Sequence, residues 1–301
     1  MVHPSLRWHN FRTGTLWSVA KTVAVTAVFI WAGPLLVSLS ALGWNGVPVV
    51  AAVGYLTRIP EAIETAEREQ RRVASERVAF ERFATEVREL DAADAGATVQ
   101  GPLLHDPAVP AGDSTATVRD LYRDTVMSVD HYEAEYDEPL ETNLTAELGL
   151  DLATAVNTTD VLHPSLQQAL AQASDTAAHK RADFESQIDS ELRSLSAAED
   201  RIREVAASVE RVRSRDINQH PFDGLQEATE QIQTAEQTCE SLIADRQAEY
   251  VDAPMAGGLT LQEYLYQPHE WTHPVIGDAL GVINTIRDVE GRLLAIVVDQ
   301  R

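Results

Sequence analysis

The chain has 301 residues, of which 44% are hydrophobic, enough to build a sizeable core. Asp and Glu outnumber Lys and Arg by 47 to 24, and the net charge of −23 would repel nucleic-acid phosphates. No basic patch with interleaved aromatics points to a nucleic-acid partner either.

Only Lys21 and Lys180 are lysines. Acid excess with arginine in place of lysine points to a salt-in halophile, where dense carboxylates hold water and cations and strong salt screens their repulsion. The single Cys239 excludes an intrachain disulfide and any multi-cysteine metal site. It falls on an apolar helical stripe, so it reads as buried packing.

The N-terminal tail, residues 1–21, leads into a stretch without Asp, Glu, Lys or Arg between Lys21 and Arg58. Within it, TVAVTAVFIWAGPLLVSLSAL at 22–42 is long enough to cross a bilayer. Gly33-Pro34 would kink that helix, and Trp17 and Trp44 bracket the run where interfacial aromatics belong. A shorter apolar stretch, VPVVAAVGYL, follows at 47–56. The expectation is therefore a membrane segment over 22–58. It is either one span or a hairpin turning near Gly33-Pro34 with Arg7, Arg12, Lys21 and Arg58 on one side. A cleaved signal peptide fits less well, because the apolar run is long and its cleavage site poor.

Residues 59–90 read as a stalk helix. Ala66, Val73, Phe80 and Val87 step by seven, Phe83 and Leu90 add a second row, and Glu76 and Arg77 interrupt the pattern. Gly96, Gly101, Pro102, Pro107, Pro110 and Gly112 mark residues 91–113 as a flexible linker. A helical bundle is expected over 114–301. Its first helix is capped by Asp113 or Ser114 and carries Val118, Leu121, Tyr122, Val126, Val129, Tyr132 and Tyr136 inward. It stops before Pro139, and a short helix follows at 140–156.

The longest helix is predicted over 163–213. Pro164 suits its first turn, and Leu166, Leu170, Ala173, Ala177, Phe184, Ile188, Leu192, Leu195, Ile202, Val205, Val209 and Val212 recur at three- and four-residue steps. At 1.5 Å per residue it would run roughly 75 Å, too long to bury its stripe without partner helices. A turn at 215–224 returns the chain through a helix at 225–250, and short connections favour antiparallel neighbours. A short helix at LTLQEYLYQ and a last, apolar helix over 275–298, with Leu280 and Leu294 on its stripe, complete the chain. No β pattern and no fixed-period repeat occurs.

Three stretches carry a resemblance: RRVASERVAFERFATEVREL, VRDLYRDTVMSVDHYEAEYDEPLETNLTAELGLDLA and LTLQEYLYQPHEWTHPVIGDAL. Together they resemble a haloarchaeal family of helical, often membrane-associated proteins of unknown function, over about residues 58–300. The resemblance implies an all-α fold and a halophilic host. It supplies no activity and no functional residues.

One motif has recognisable chemistry. His269-Glu270-Trp271-Thr272-His273 matches H-E-x-x-H, which in zinc peptidases sits on a helix and aims two histidines at one metal. Pro268 and Pro274 flank it, and Pro274 disfavours helical geometry at His273. The competing expectation is a loop whose His269, Trp271 and His273 pack on the end of the bundle. Asp130, Glu133 and Asp137 would share a helical face and could hold a divalent cation, although carboxylates cluster by chance in so acidic a chain. Asn143-Leu144-Thr145 and Asn157-Thr158-Thr159 match the glycan acceptor pattern.

The sequence therefore predicts an all-α protein: an N-terminal membrane segment followed by a long antiparallel helical bundle with coiled-coil-like helices. It needs no cofactor and sits at the cell membrane, self-associating or holding a helical partner. Its packing anchors are Val73, Phe80, Val87, Phe184, Ile188 and Leu192. The alternatives are a zinc-dependent membrane peptidase using His269, Glu270 and His273, and a sensor transmitting through the stalk.

Overall fold

The structure is a computed structural model that describes residues 58–92, 114–215, 223–251 and 259–299. All regular elements there are helical. They are α1 (Arg58–Glu89), α2 (Thr115–Thr125), a 3-10 turn (Val126–Ser128), α3 (Tyr132–Glu135), α4 (Leu140–Leu148), α5 (Leu150–Thr158), α6 (Pro164–Ser214), α7 (Asp223–Val251), α8 (Leu261–Leu265) and α9 (Pro274–Asp299). The expected tail, most of the membrane segment and most of the linker lie outside the described residues. Among the described residues, no helix is long and apolar enough to cross a membrane.

Two compact units divide the described chain: residues 66–191 form one, and residues 58–65 join residues 192–299 in the other. The 51-residue α6 contributes to both. From Leu170 to Val212 one row of buried positions steps by four and three, with Ala171, Ala178 and Ala206 buried beside it. That is the 3.5-residue spacing of a seam that stays turned toward its neighbours along the whole helix. The seam runs through Ser174, Arg181 and Glu191 as well as through Leu170, Ile188 and Val209. An apolar reading alone selects Ala173 and Leu192, which lie beside the seam and are half-buried.

In the first unit, α1 and α6 run antiparallel: Arg88 pairs with Asp175, Arg77 with Glu185, and Gln70 with Asp189. Phe80, Phe83 and Val87 meet Val118 and Tyr122 of α2, Leu144 of α4, Val156 of α5 and Leu170 of α6 in one core. Tyr122 stands edge-on to Phe83, with ring centroids 5.1 Å apart and planes 89° apart. Burying each such side chain stabilises the fold by roughly 1.5–3 kcal/mol.

Two expected helices are broken. The one starting at residue 114 gives way to the 3-10 turn and the four-residue α3. The one over 140–156 is split at Gly149, whose φ of 96° only glycine adopts without strain.

In the second unit, the C-terminal half of α6 runs antiparallel to α7. Ser194 meets Arg246 and Glu249, Arg201 meets Asp245, and Arg215 meets Glu227. The stripes Ala228, Ile232, Ala235, Cys239, Leu242 on α7 and Val275, Ala279, Val282, Ile286, Val289, Leu293 on α9 are buried. Leu280 and Leu294, expected inside, are 49% and 66% exposed, because the alternating seam of α9 passes one residue to their side. Cys239 is buried, and burial among Glu236 and Glu240 pushes its thiol up to about 11.

Candidate functional site

Glu76 occupies a core position of α1. One row of buried positions in that helix runs Val73, Glu76, Phe80, Phe83 and Val87, so the residue that interrupts the apolar pattern lies on the seam itself. Arg181 lies on the seam of α6, and the antiparallel register brings the two together. Arg181 Nε donates to Glu76 Oε2 at 2.8 Å, and Arg181 Nη2 donates to Glu147 Oε1 at 3.1 Å. The guanidinium carbon stands 4.2 Å from the centre of the Phe80 ring, so cation–π attraction adds to the ion pairs.

The remaining ligands of Glu76 come from the broken segment after α2. Tyr136 donates its hydroxyl to Glu76 Oε1 at 2.8 Å, and His131 Nε2 lies 2.9 Å from the same oxygen. A carboxylate only accepts, so the His131 Nε2 carries the proton. A continuous helix through 114–137 would carry these two rings past Glu76. The 3-10 turn and the left-handed Asp137 (φ 41°) fold the segment back, and Tyr132 closes it by donating to the Glu138 carbonyl at 3.1 Å. Beneath the network, Tyr122 donates to Asn143 Oδ1 at 2.7 Å.

Burial raises the cost of charge on Glu76. The hydrogen bonds from His131, Tyr136 and Arg181 and the positive charge of Arg181 outweigh it, and the carboxyl titrates below its ordinary 4.5. Burial likewise opposes the charge on Arg181, but Glu147 and Glu76 hold its proton more tightly than in water. Burial and the Glu76 charge push the Tyr136 hydroxyl well above its usual range. Such a network is weak evidence for added stability, since desolvation consumes much of the Coulomb gain. It specifies geometry: one register of α1 against α6 satisfies all of these groups at once.

The predicted packing anchors fall unevenly. Val73, Phe80, Val87, Phe184 and Ile188 are buried, whereas Leu192 is half-buried beside Glu191.

The H-E-x-x-H stretch is a correction to the helical peptidase geometry. Residues 269–273 are irregular, between the short α8 and the start of α9. His269 Nε2 lies 3.0 Å from the Thr65 hydroxyl, and its ring stacks on Trp271 with centroids 4.3 Å apart. Glu270 and His273 are exposed. The acidic block is corrected too. Asp130, Glu133 and Asp137 are exposed, and α3 is too short to set them on one face. Among the described residues, no group of three or more His, Cys, Asp or Glu side chains is placed to hold a metal ion. Asn143 is buried and bonded to Tyr122, so the first glycan pattern is closed in the folded chain, while Asn157 is exposed.

Sequence reasoning passed over Glu76 and Arg181 because it selected apolar residues. The signal was present: opposite charges at seam positions of two long helices, each flanked by apolar residues at three- and four-residue steps.

No curated protein and no solved structure matches the chain. The model of a domain of unknown function, DUF7260, matches residues 57–290, most of the sequence, and the chain belongs to that family.

Proposed function

We propose that this protein is a membrane-anchored helical scaffold of a halophile, which holds a helical partner or a second copy of itself at the membrane. The observation that carries this reading is the way the chain leaves its uncharged run. α1 begins at Arg58, directly after it, and the first two backbone N–H groups of α1 are held by Asp278 of α9 at 2.9 and 3.0 Å. An anchor attached there would be joined to the helical body through a fixed point.

Flotation of the full chain with lipid vesicles in molar salt tests the anchor. Recovery with the vesicles is expected, and recovery in the unbound fraction overturns it. Cross-linking in native membranes tests the scaffold. A cross-linked homo-oligomer or one stoichiometric protein partner is expected, and an isolated monomer refutes it. The peptidase alternative is distinguished by metal analysis: stoichiometric zinc lost on His273→Ala would replace the scaffold reading.

A further inference from the structure

The first turns of α1 are gripped from the far end of the chain. Asp278 accepts the N–H of Arg58 and of Ile59 through its two oxygens, and the Arg58 guanidinium lies 3.5 Å from the same carboxylate. A carboxylate at the positive end of a helix satisfies donors that the helix itself leaves open. Gly277 makes room: a Cβ there would lie 2.9 Å from Arg58 Nη1. Two turns along, the Thr65 hydroxyl donates to the Glu61 carbonyl and meets His269 Nε2, while His269 Nδ1 lies 3.3 Å from the Glu61 carboxylate. Trp271 lies nearly parallel on His269, with planes 12° apart, and Tyr266 flanks it at 5.3 Å.

This aromatic group stands where the chain leaves its uncharged run. Arg58 is the first charge after Lys21, and Thr65 lies about 10 Å farther along α1 at 1.5 Å per residue. With the run in a bilayer, Arg58 marks the edge of the hydrocarbon. The headgroup layer beyond it is about 5–7 Å deep on each side. With α1 along the bilayer normal, Glu61 would lie about 4.5 Å beyond Arg58, inside that layer, and Thr65 just past its outer edge, so the His269 ring that meets both and the Trp271 ring stacked on it would stand at the water-facing side of the headgroups. An indole has a large apolar face and one N–H donor, the combination that settles in this layer. Trp271 is half-buried, so part of its ring remains available.

We propose that the Tyr266–His273 loop is a membrane-surface contact, with Trp271 seated in the headgroup layer of the bilayer that receives the chain's own apolar run. This rests on the anchor reading above. Glu61, beside His269, and Glu270, next to it in sequence, are exposed, and in molar salt, where the Debye length is about 3 Å, their repulsion from anionic lipid is screened.

The full chain carrying Trp8→Phe, Trp17→Phe, Trp31→Phe and Trp44→Phe retains Trp271 as its only tryptophan. It would be reconstituted in phosphatidylcholine vesicles in molar salt, with bromine placed either high or low on the acyl chains. Loss of most Trp271 emission with the shallow bromines, less with the deep ones, and weak quenching by aqueous acrylamide are expected. Vesicle-bound protein whose emission ignores the bromines and is quenched by acrylamide overturns the contact and leaves the anchor standing. Protein that does not float with the vesicles overturns both. A nitroxide at Gln267→Cys, with Cys239→Ser and every tryptophan retained, reads the same surface independently. Stronger relaxation by oxygen than by a water-soluble nickel complex is expected, and the reverse order overturns the proposal.

Discussion

Replacing Arg181 by methionine should cost more in the native chain than in a chain that already carries Glu76→Leu. Arg181 is 2% exposed and serves Glu76 at 2.8 Å and Glu147 at 3.1 Å. Removing it leaves the Glu76 carboxylate, itself 7% exposed, with hydrogen bonds but no opposing charge. Breaking a buried pair from one side costs roughly 3–5 kcal/mol. Glu76→Leu removes the acceptor of His131 and Tyr136, at about 1–3 kcal/mol for each donor left unsatisfied, while Arg181 keeps Glu147. In the double variant neither charge remains, although His131 and Tyr136 still lack their acceptor and Glu147 lacks its cation. Exchanging a whole buried pair for apolar side chains is often neutral or stabilising by about 1–4 kcal/mol. A coupling energy of at least ~2 kcal/mol is therefore expected between the two sites. Urea unfolding in molar KCl measures it; guanidinium chloride is unsuitable because it adds salt. Two compact units need not unfold together, so hydrogen exchange in peptides from residues 66–91 and 164–191 assigns the loss to the right one. Additivity of the single changes within ~0.5 kcal/mol would refute the reasoning and show that the two charges act as separate, solvent-screened groups.

Other consequences are simpler to read. Glu76 has its folded carboxyl below 4.5, so its stabilising share is present above that pH and is lost as pH falls through the lower folded value. Glu76→Gln should therefore flatten the acid limb of a stability–pH curve below about 4.5. Burial instead raises the Asp278 carboxyl above 3.8, against the N–H bonds from Arg58 and Ile59. Its share is present below 3.8 and is lost as pH rises through the folded value, so Asp278→Asn should change the curve with the opposite sign. Tyr122→Phe leaves the buried Asn143 amide without its donor and should cost about 1–3 kcal/mol in thermal unfolding. Phe184→Ala, at a site 8% exposed, should cost roughly 3–5 kcal/mol; a loss within ~0.5 kcal/mol would place that ring outside the packed seam. Gly149→Ala meets nothing within 4 Å, so any loss, expected to be about 1–3 kcal/mol, comes from its positive-φ backbone (φ 96°, ψ 156°) alone.

Long periodic elements were legible in the sequence, and α6 most of all. Pro164 marks its start, and the recurrence of apolar residues to Val212 leaves little room for another structure. The break at Gly149 was not legible, because Leu144, Leu148, Leu152 and Val156 keep helical spacing across it and only a backbone angle betrays the turn. The compact fold around His131 was hidden for a related reason. Tyr132 and Tyr136 read as one inward face of a continuous helix, whereas Tyr136 is drawn to a carboxylate on α1 that lies 60 residues earlier. The polar seam positions were missed because hydrophobicity scores the residue and not the place. Glu191 is buried and its neighbour Leu192 only half so. The peptidase motif shows the converse, since its letters match and the irregular backbone between Pro268 and Pro274 denies them the one-turn geometry.

The carboxylate that holds the first turn of α1 has a temporal cost. It lies 220 residues downstream of Arg58. At a synthesis rate of about 5–20 residues per second, some 11–44 s separate the emergence of Arg58 from that of Asp278. Throughout that interval the open amides at the start of α1 must be served by other partners, water among them. The hold on the helix start is thus among the last contacts the growing chain can make, and a chain ended before residue 278 would begin α1 without that carboxylate.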